Sequence, residues 1–169
     1  MTCHCLQRGV ICRQSGVCLL AVFFFAVAVE ANQAGGKSDS QVKLSATGGK
    51  IEANGRQQIT ITMEVNNGWH AYANEVKHED YEPNRTEVKI TGSKKLEAVT
   101  ISYPPGEKHV VQHADGKKDI FQVYEGRVII QATVTRAAGD TGPLEVSVRY
   151  MTCNDKECLL PETVKLQVK

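Results

Sequence analysis

The sequence lacks an excess of charge of either sign. Its 169 residues contain 20 lysines and arginines against 19 aspartates and glutamates, a formal net charge of +1. Nucleic-acid-binding domains concentrate positive charge on one face, so that class of protein is not expected, and neither is a polybasic membrane binder. Aromatic residues are also scarce, at 6%, but hydrophobic residues reach 41%, which argues against intrinsic disorder. The length indicates one domain.

Long hydrophobic runs are also missing. The longest uncharged apolar run, residues 17–29, has thirteen residues, whereas a membrane-spanning helix needs about twenty. Arg8 and Arg13 precede this run, and the small residues Ala28 and Ala31 close it. The pattern predicts a secretory signal peptide over residues 1–31, cleaved after Ala31 or, alternatively, after Ala28. An uncleaved N-terminal anchor is the other interpretation. The protein is therefore expected in the periplasm or secreted.

Cysteine is nearly absent from the expected mature chain. Four of the six cysteines fall within residues 1–31, which leaves Cys153 and Cys158. The mature chain then consists of a flexible polar lead-in, residues 32–40, and one domain, residues 41–169. The two cysteines would lie in an oxidising compartment, where they are expected to pair.

Helical periodicity is absent too, and alternation of apolar and polar residues takes its place. In residues 58–65 the apolar side chains Ile59, Ile61, Met63 and Val65 alternate with polar ones. Strands are predicted at residues 41–47, 58–65, 69–73, 86–91, 96–103, 120–124, 127–135, 143–152 and 163–168, with a polar loop at 107–118. Short strands at roughly ten-residue spacing predict an all-β, immunoglobulin-like antiparallel β-sandwich.

The two cysteines stand at the neck of a hairpin. A strand runs into Cys153, the turn-forming residues Asn154 and Asp155 follow, and only four residues separate Cys153 from Cys158. Opposed residues on paired strands are close enough for a disulfide. Such a bond closes a very short loop and contributes about 2 kcal/mol by loop-closure entropy.

A domain of this size buries about two-thirds of the surface that its unfolded chain exposes, so it does not need a disulfide for stability. This favours a redox-active cysteine pair. A permanent structural disulfide remains the alternative. No metal and no other cofactor are expected, because Cys-x4-Cys is not the usual Cys-x2-Cys spacing of zinc ligands.

Two motifs resemble the N-terminal domain of the thiol:disulfide interchange protein DsbD. The first surrounds the cysteines and reads Tyr150-x-x-Cys153-x4-Cys158-x-x-Pro161-Glu162-Thr163; the second is Asn67-Gly68-Trp69-His70-Ala71-Tyr72. The resemblance covers most of residues 41–169. Well-known members have one more residue between the cysteines and continue into membrane spans and a thioredoxin-like domain.

The resemblance implies a role for each matched residue. Cys153 and Cys158 would be the catalytic pair, with Cys158 forming the mixed disulfide with partners. His70 and Tyr72 would be the aromatic residues flanking the active site, although a solvent-facing strand histidine is the other interpretation of His70. The family shields its disulfide with a cap loop, and by position residues 107–118 would supply it through Val110 and Val111.

The function implied is transfer of electrons through the cysteine pair. The donor would be a thioredoxin-like or membrane electron-transfer protein, and the acceptor a periplasmic disulfide-bearing protein; the domain is expected to be a monomer. The competing hypothesis is a non-catalytic β-sandwich that binds protein or glycan and uses the disulfide as a brace. The reduction potential separates the two, because a structural disulfide lies below about −300 mV.

Overall fold

The structure, a computed structural model, describes residues 36–169. The predicted signal peptide lies outside these residues. Within them the chain is an antiparallel, immunoglobulin-like β-sandwich without α-helices, as predicted. The strands are β1 (Val42–Gly48), β2 (Arg56–Val65), β3 (His70–Tyr72), β4 (Glu87–Gly92), β5 (Ala98–Ser102), β6 (Glu107–Gln112), β7 (Lys118–Tyr124), β8 (Arg127–Thr135), β9 (Leu144–Tyr150), β10 (Thr152–Cys153) and β11 (Glu162–Val168). Short 3-10 turns occupy Ser38–Gln41 and Glu82–Asn84.

Three sheets share these strands, in the orders β1-β2-β8-β5, β10-β3-β7-β6 and β11-β9-β4. In β2 every second side chain points inward, so that Ile59, Ile61 and Met63 have no exposed surface. They pack with the inward-facing valines of β9, Val146 and Val148, in the main core. Each such side chain contributes about 1.5–3 kcal/mol by leaving water. Among residues 36–169, no helix is both long and apolar enough to cross a membrane.

A second, smaller hydrophobic cluster lies around the cysteine pair. It consists of Tyr72, Val76, Phe121, Val123 and Cys153. Strand β3 connects the two clusters, because Ala71 faces the main core while Tyr72 faces the second cluster. This follows from the two-residue period of a strand, and it places the short β3 between the core and the cysteines.

The predicted loop at residues 107–118 is instead a β-hairpin. Strand β6 pairs with β7 from Glu107 opposite Val123 to Gln112 opposite Lys118, and Gly116 takes a left-handed φ of 86° in the turn. The sequence shows no clear alternation in this segment, because β6 is an edge strand whose side chains are exposed or only half-buried. Its two valines are also adjacent, which removes the two-residue period.

The strand predicted at residues 143–152 is interrupted. Strand β9 ends at Tyr150, and β10 then pairs with β3 in a different sheet, with Cys153 opposite His70. The pattern continues through the break because Tyr150 and Thr152 are both buried, each in its own sheet. The alternation of apolar and polar residues indicates which side chains are buried, but it does not indicate which strand pairs with which.

The end of the predicted flexible lead-in is held in place. Ser38 has no exposed surface, and its backbone N–H donates to the Leu160 carbonyl at 3.1 Å. The Lys37 ammonium lies 3.1 Å from the Glu162 carboxylate. Polar composition predicted a flexible lead-in over residues 32–40, and within its described part Lys37 and Ser38 have partners beside the cysteine hairpin.

Candidate functional site: a disulfide in an aromatic groove

Cys153 and Cys158 form a disulfide across a tight turn. Their Cα atoms are 4.0 Å apart and face each other in an antiparallel bridge. Asn154 builds the turn: its N–H donates to the Glu157 carbonyl, and its side-chain oxygen accepts from the N–H groups of Lys156 and Glu157 at 2.8 and 2.9 Å. Asn and Asp favour turns through such side-chain acceptors, as the sequence predicted.

The two cysteines differ sharply in exposure. Cys153 is 2% exposed and belongs to the second hydrophobic cluster, whereas Cys158 is exposed at the surface. An attacking thiolate needs access to the sulfur that it attacks. Approach from solvent is therefore possible at Cys158 and obstructed at Cys153.

Tyr72 contacts the buried sulfur directly. Its hydroxyl oxygen lies 3.5 Å from Cys153 Sγ, and since a disulfide sulfur carries no proton, the hydroxyl is the donor. Burial raises the pKa of Tyr72, so the hydroxyl keeps its proton at neutral pH. The side chain predicted to flank the active site thus lies beside the sulfur that would leave as a thiolate on reduction.

His70 is buried, at 6% exposure, so the interpretation of a solvent-facing histidine is wrong. Its ring is 4.4 Å from that of His109 and 6.2 Å from that of Tyr72. Burial, together with the neighbouring His109, lowers the pKa of His70 to about 4, although Asp155 acts in the opposite direction. His70 is therefore a neutral imidazole at neutral pH.

Other aromatic side chains complete the wall of the site. Tyr81 stacks on Tyr72 with ring centroids 5.5 Å apart, and Phe121 lies 4.5 Å from Tyr81. The Tyr81 hydroxyl donates to Asp119 at 2.8 Å, which raises the pKa of Tyr81 to about 12. Sequence reasoning missed Tyr81, Phe121 and His109 as site residues. For Phe121, the sequence shows only an apolar residue in a strand. Such a residue can belong to the hydrophobic core or to a functional site, and the sequence does not distinguish the two.

A groove of about 570 Å³ runs over the pair between the hairpin turn and β6. Val110 and Val111, the predicted cap residues, both line it. They differ in orientation: Val111 is half-buried against the second cluster, while Val110 is 46% exposed. The β6–β7 hairpin therefore borders the disulfide, with Val111 as its inward-facing apolar side chain.

Ser38 ties the base of the cysteine hairpin together. Its hydroxyl donates to the Leu160 carbonyl at 2.8 Å and accepts from the Thr152 N–H at 3.0 Å. Thr152 immediately precedes Cys153, and Leu160 follows Cys158 by two residues. One buried hydroxyl thus bridges the two strands that carry the cysteines.

Comparisons with known proteins identify a matching family and similar folds. A sequence model of the family described as "Thiol:disulfide interchange protein DsbD, N-terminal" matches residues 37–169. Among solved structures, the fold is similar to the N-terminal periplasmic domain of ScsB from Proteus mirabilis, with a TM-score of 0.53 and 16% sequence identity over 75% of this chain and 45% of that chain. The chain therefore spans less than half of that ScsB chain, and the likeness shows the fold alone.

Two further solved structures come from Neisseria meningitidis. The reduced DsbD N-terminal domain has a TM-score of 0.47 and 14% identity, over 78% of this chain and 86% of that chain. The complex between the DsbD and PilB N-terminal domains contains a chain with a TM-score of 0.44 and 12% identity, over 73% and 80% respectively. A search of curated protein sequences finds no match.

Proposed function

Because the chain belongs to the family of the N-terminal domain of the thiol:disulfide interchange protein DsbD, we propose that it relays electrons through Cys153 and Cys158 in the periplasm or another extracytoplasmic space. The donor is a thioredoxin-like or membrane electron-transfer protein. The acceptor is a protein that carries a disulfide. The observation that carries the proposal is a disulfide with one exposed and one buried sulfur, set in an aromatic groove.

Reduction of the pair begins at the exposed sulfur. A donor thiolate attacks Cys158 Sγ, a bond forms between these two sulfurs, and the bond between Cys158 and Cys153 breaks. Cys153 leaves as a thiolate, to which the Tyr72 hydroxyl can donate. A second donor thiolate then attacks the mixed disulfide, so that the donor ends oxidised and this domain ends with two thiols.

Delivery to the acceptor reverses these roles. The Cys158 thiolate attacks the acceptor disulfide and one acceptor sulfur leaves. Cys153 then attacks Cys158 Sγ, which restores the disulfide of this domain and releases the second acceptor thiol. Leu160, two residues after Cys158 in the chain, is 60% exposed and offers apolar surface to a docking protein. The neighbouring Leu159 is buried and adds nothing to this surface.

The first prediction tests the order of attack. In the reduced Cys153→Ser variant, Cys158 can still attack an acceptor disulfide, but this domain has no second thiol to resolve the product. A mixed disulfide should therefore accumulate once alkylation blocks the acceptor thiol that was released. In Cys158→Ser the remaining thiol is buried, and trapping should be at least about tenfold lower. Mass spectrometry of complexes formed with an oxidised thioredoxin-like protein measures both yields.

The matched control is the double variant, in which both cysteines are serine and no covalent complex should form. Equal trapping by the two single variants, or trapping through Cys153 alone, would reverse the assignment. No trapping by either variant would favour the structural brace, and a reduction potential of the pair below about −300 mV would agree with that outcome.

A further inference from the structure

A cluster of possible metal ligands lies at the edge of the groove, where His70 and His109 line it and Glu125 lies beside them. His70, His109 and Glu125 each place a ligand atom within 4.8 Å of the others. They come from three places in one sheet: His70 begins β3, His109 lies in β6, and Glu125 directly follows β7. Pairing of β3 and β6 with opposite edges of β7 brings these distant residues together.

Unlike the two remaining histidines of the described domain, His70 and His109 have no carboxylate partner. His113 lies 2.9 Å from Asp119, and His78 lies 3.8 Å from the same carboxylate. Among residues 36–169, neither a hydrogen bond nor an ion pair engages the side chains of His70, His109 or Glu125. Two imidazoles in ring contact, one of them buried, therefore keep ring nitrogens available next to a free carboxylate.

We propose that His70, His109 and Glu125 bind a divalent first-row transition-metal ion, with Zn²⁺ as the reference ion. Two imidazole nitrogens and one carboxylate oxygen are a ligand set that Zn²⁺ accepts, and three protein ligands leave one position open. Zinc bonds of about 2.0–2.1 Å place tetrahedral ligand atoms about 3.3 Å apart, so the site must contract on binding. The exposed Glu125 side chain is free to rotate for this contraction.

The bound ion would also control the cysteine pair, a consequence that rests on the proposed electron-relay function. It would connect β3, which lies opposite Cys153, to β6, whose Val111 borders the groove. The β6–β7 hairpin would then be held against the disulfide, and access of a reductant to sulfur would fall. This proposal departs from the sequence-based expectation that the protein binds no metal, which considered the cysteines as ligands.

The test is a calorimetric titration of the processed, tag-free protein with Zn²⁺ after treatment with a chelator. The protein is kept oxidised, so that the cysteines cannot act as thiolate ligands. We expect one ion per chain. His109→Ala and Glu125→Gln should each weaken the affinity at least about tenfold, since even residues that only support a ligand cost 10–100-fold. The matched controls, His113→Ala and Glu107→Gln, should bind as the wild type does.

Three results would overturn the site: no saturable binding by the wild-type protein, unchanged affinity in both ligand variants, or an equal loss in His113→Ala. The rate of disulfide reduction by a phosphine then tests the regulatory role, and Zn²⁺ should slow it several-fold in the wild type but not in Glu125→Gln. Binding without slowing would contradict that role. Failure of the trapping experiment would count against the electron relay and leave the binding result intact.

Discussion

At the residue scale, the Tyr72 hydroxyl makes the two sulfurs different in chemistry as well as in exposure. It lies 3.5 Å from Cys153 Sγ, in a cluster where both side chains are buried. Burial alone would disfavour a thiolate at Cys153, whereas a hydrogen bond to the charged form favours it. In the proposed relay, the hydroxyl would thus offset the burial of the sulfur that leaves as a thiolate.

Replacing Tyr72 with Phe should raise the pKa of the Cys153 thiol by about one unit. A hydrogen bond to a charged group is worth about 1.5–3 kcal/mol, and one pKa unit corresponds to about 1.4 kcal/mol; sulfur is a weak acceptor, which favours the lower end. Thiolate absorbance against pH, measured in the Cys158→Ser background, isolates Cys153. Tyr81→Phe is the matched control, because its hydroxyl bonds Asp119. An unchanged or lowered pKa in Tyr72→Phe would remove the hydroxyl from the mechanism.

The sequence predicted some of these residues and missed others for a physical reason. His70 and Tyr72 lie near the cysteines as the motif implied, and the two-residue period placed them on one face. Phe121 and His109 reach the site through the pairing of β6 with β7, and Tyr81 reaches it from a turn between β3 and β4; no local pattern records these contacts. The roles of all these residues in exchange remain predictions.

At the element scale, the β6–β7 hairpin is the structure that borders the disulfide on one side of the groove. Its two adjacent valines point to opposite faces, as neighbours in a strand must. Val111 packs with Tyr72 and Cys153 in the second cluster, while Val110 pairs with Ile120 on a face where both are more than 40% exposed. Of these two valines, Val111 is the one that packs against the cluster containing Cys153.

Val111→Ala should speed reduction of the disulfide by a small thiol several-fold, because truncation opens the groove toward the sulfur. Val110→Ala removes the same atoms from the outward face of the same strand and should leave the rate within about a factor of two. Both rates come from the appearance of free thiol with time. Equal rates in Val111→Ala and the wild type would show that the hairpin does not cap the pair.

The N-terminal segment that precedes β1 contacts the base of the cysteine hairpin through Ser38. Ser38→Ala would leave the buried Thr152 N–H without its partner, at a cost of about 1–3 kcal/mol in the free energy of unfolding. Urea denaturation measures that cost, and faster amide exchange at Thr152 locates it. The matched control is Ser40→Ala, because the exposed Ser40 hydroxyl donates to the Lys37 carbonyl and accepts from the Gln41 side chain, both within the same turn. Equal stability of the two variants would contradict the bridging role of Ser38.

At the scale of the whole molecule, the β-sandwich could be predicted from the alternation of apolar and polar residues, because nearly every long strand has one buried face. The burial of β2 and β9 repeats every two residues without interruption. Division of the strands into three sheets could not be predicted, since β9 and β10 read as one strand. Which strands pair through backbone hydrogen bonds depends on the packing of the whole chain, whereas the hydropathy pattern indicates only which face of a strand is buried.

The whole fold should survive reduction of the pair. The disulfide closes a loop with a sequence separation of five, which contributes about 2 kcal/mol, against about 5–15 kcal/mol for the stability of a typical domain. The main core of β2, β8 and β9 does not include either cysteine. Thermal melts with and without reductant should each show one cooperative transition, with the reduced protein melting about 5–10 °C lower. The variant with both cysteines replaced by serine should melt as the reduced protein does, with or without reductant. Loss of the cooperative transition on reduction would mean that the bond is a brace on which the fold depends, and the electron relay would then lack a stable reduced state.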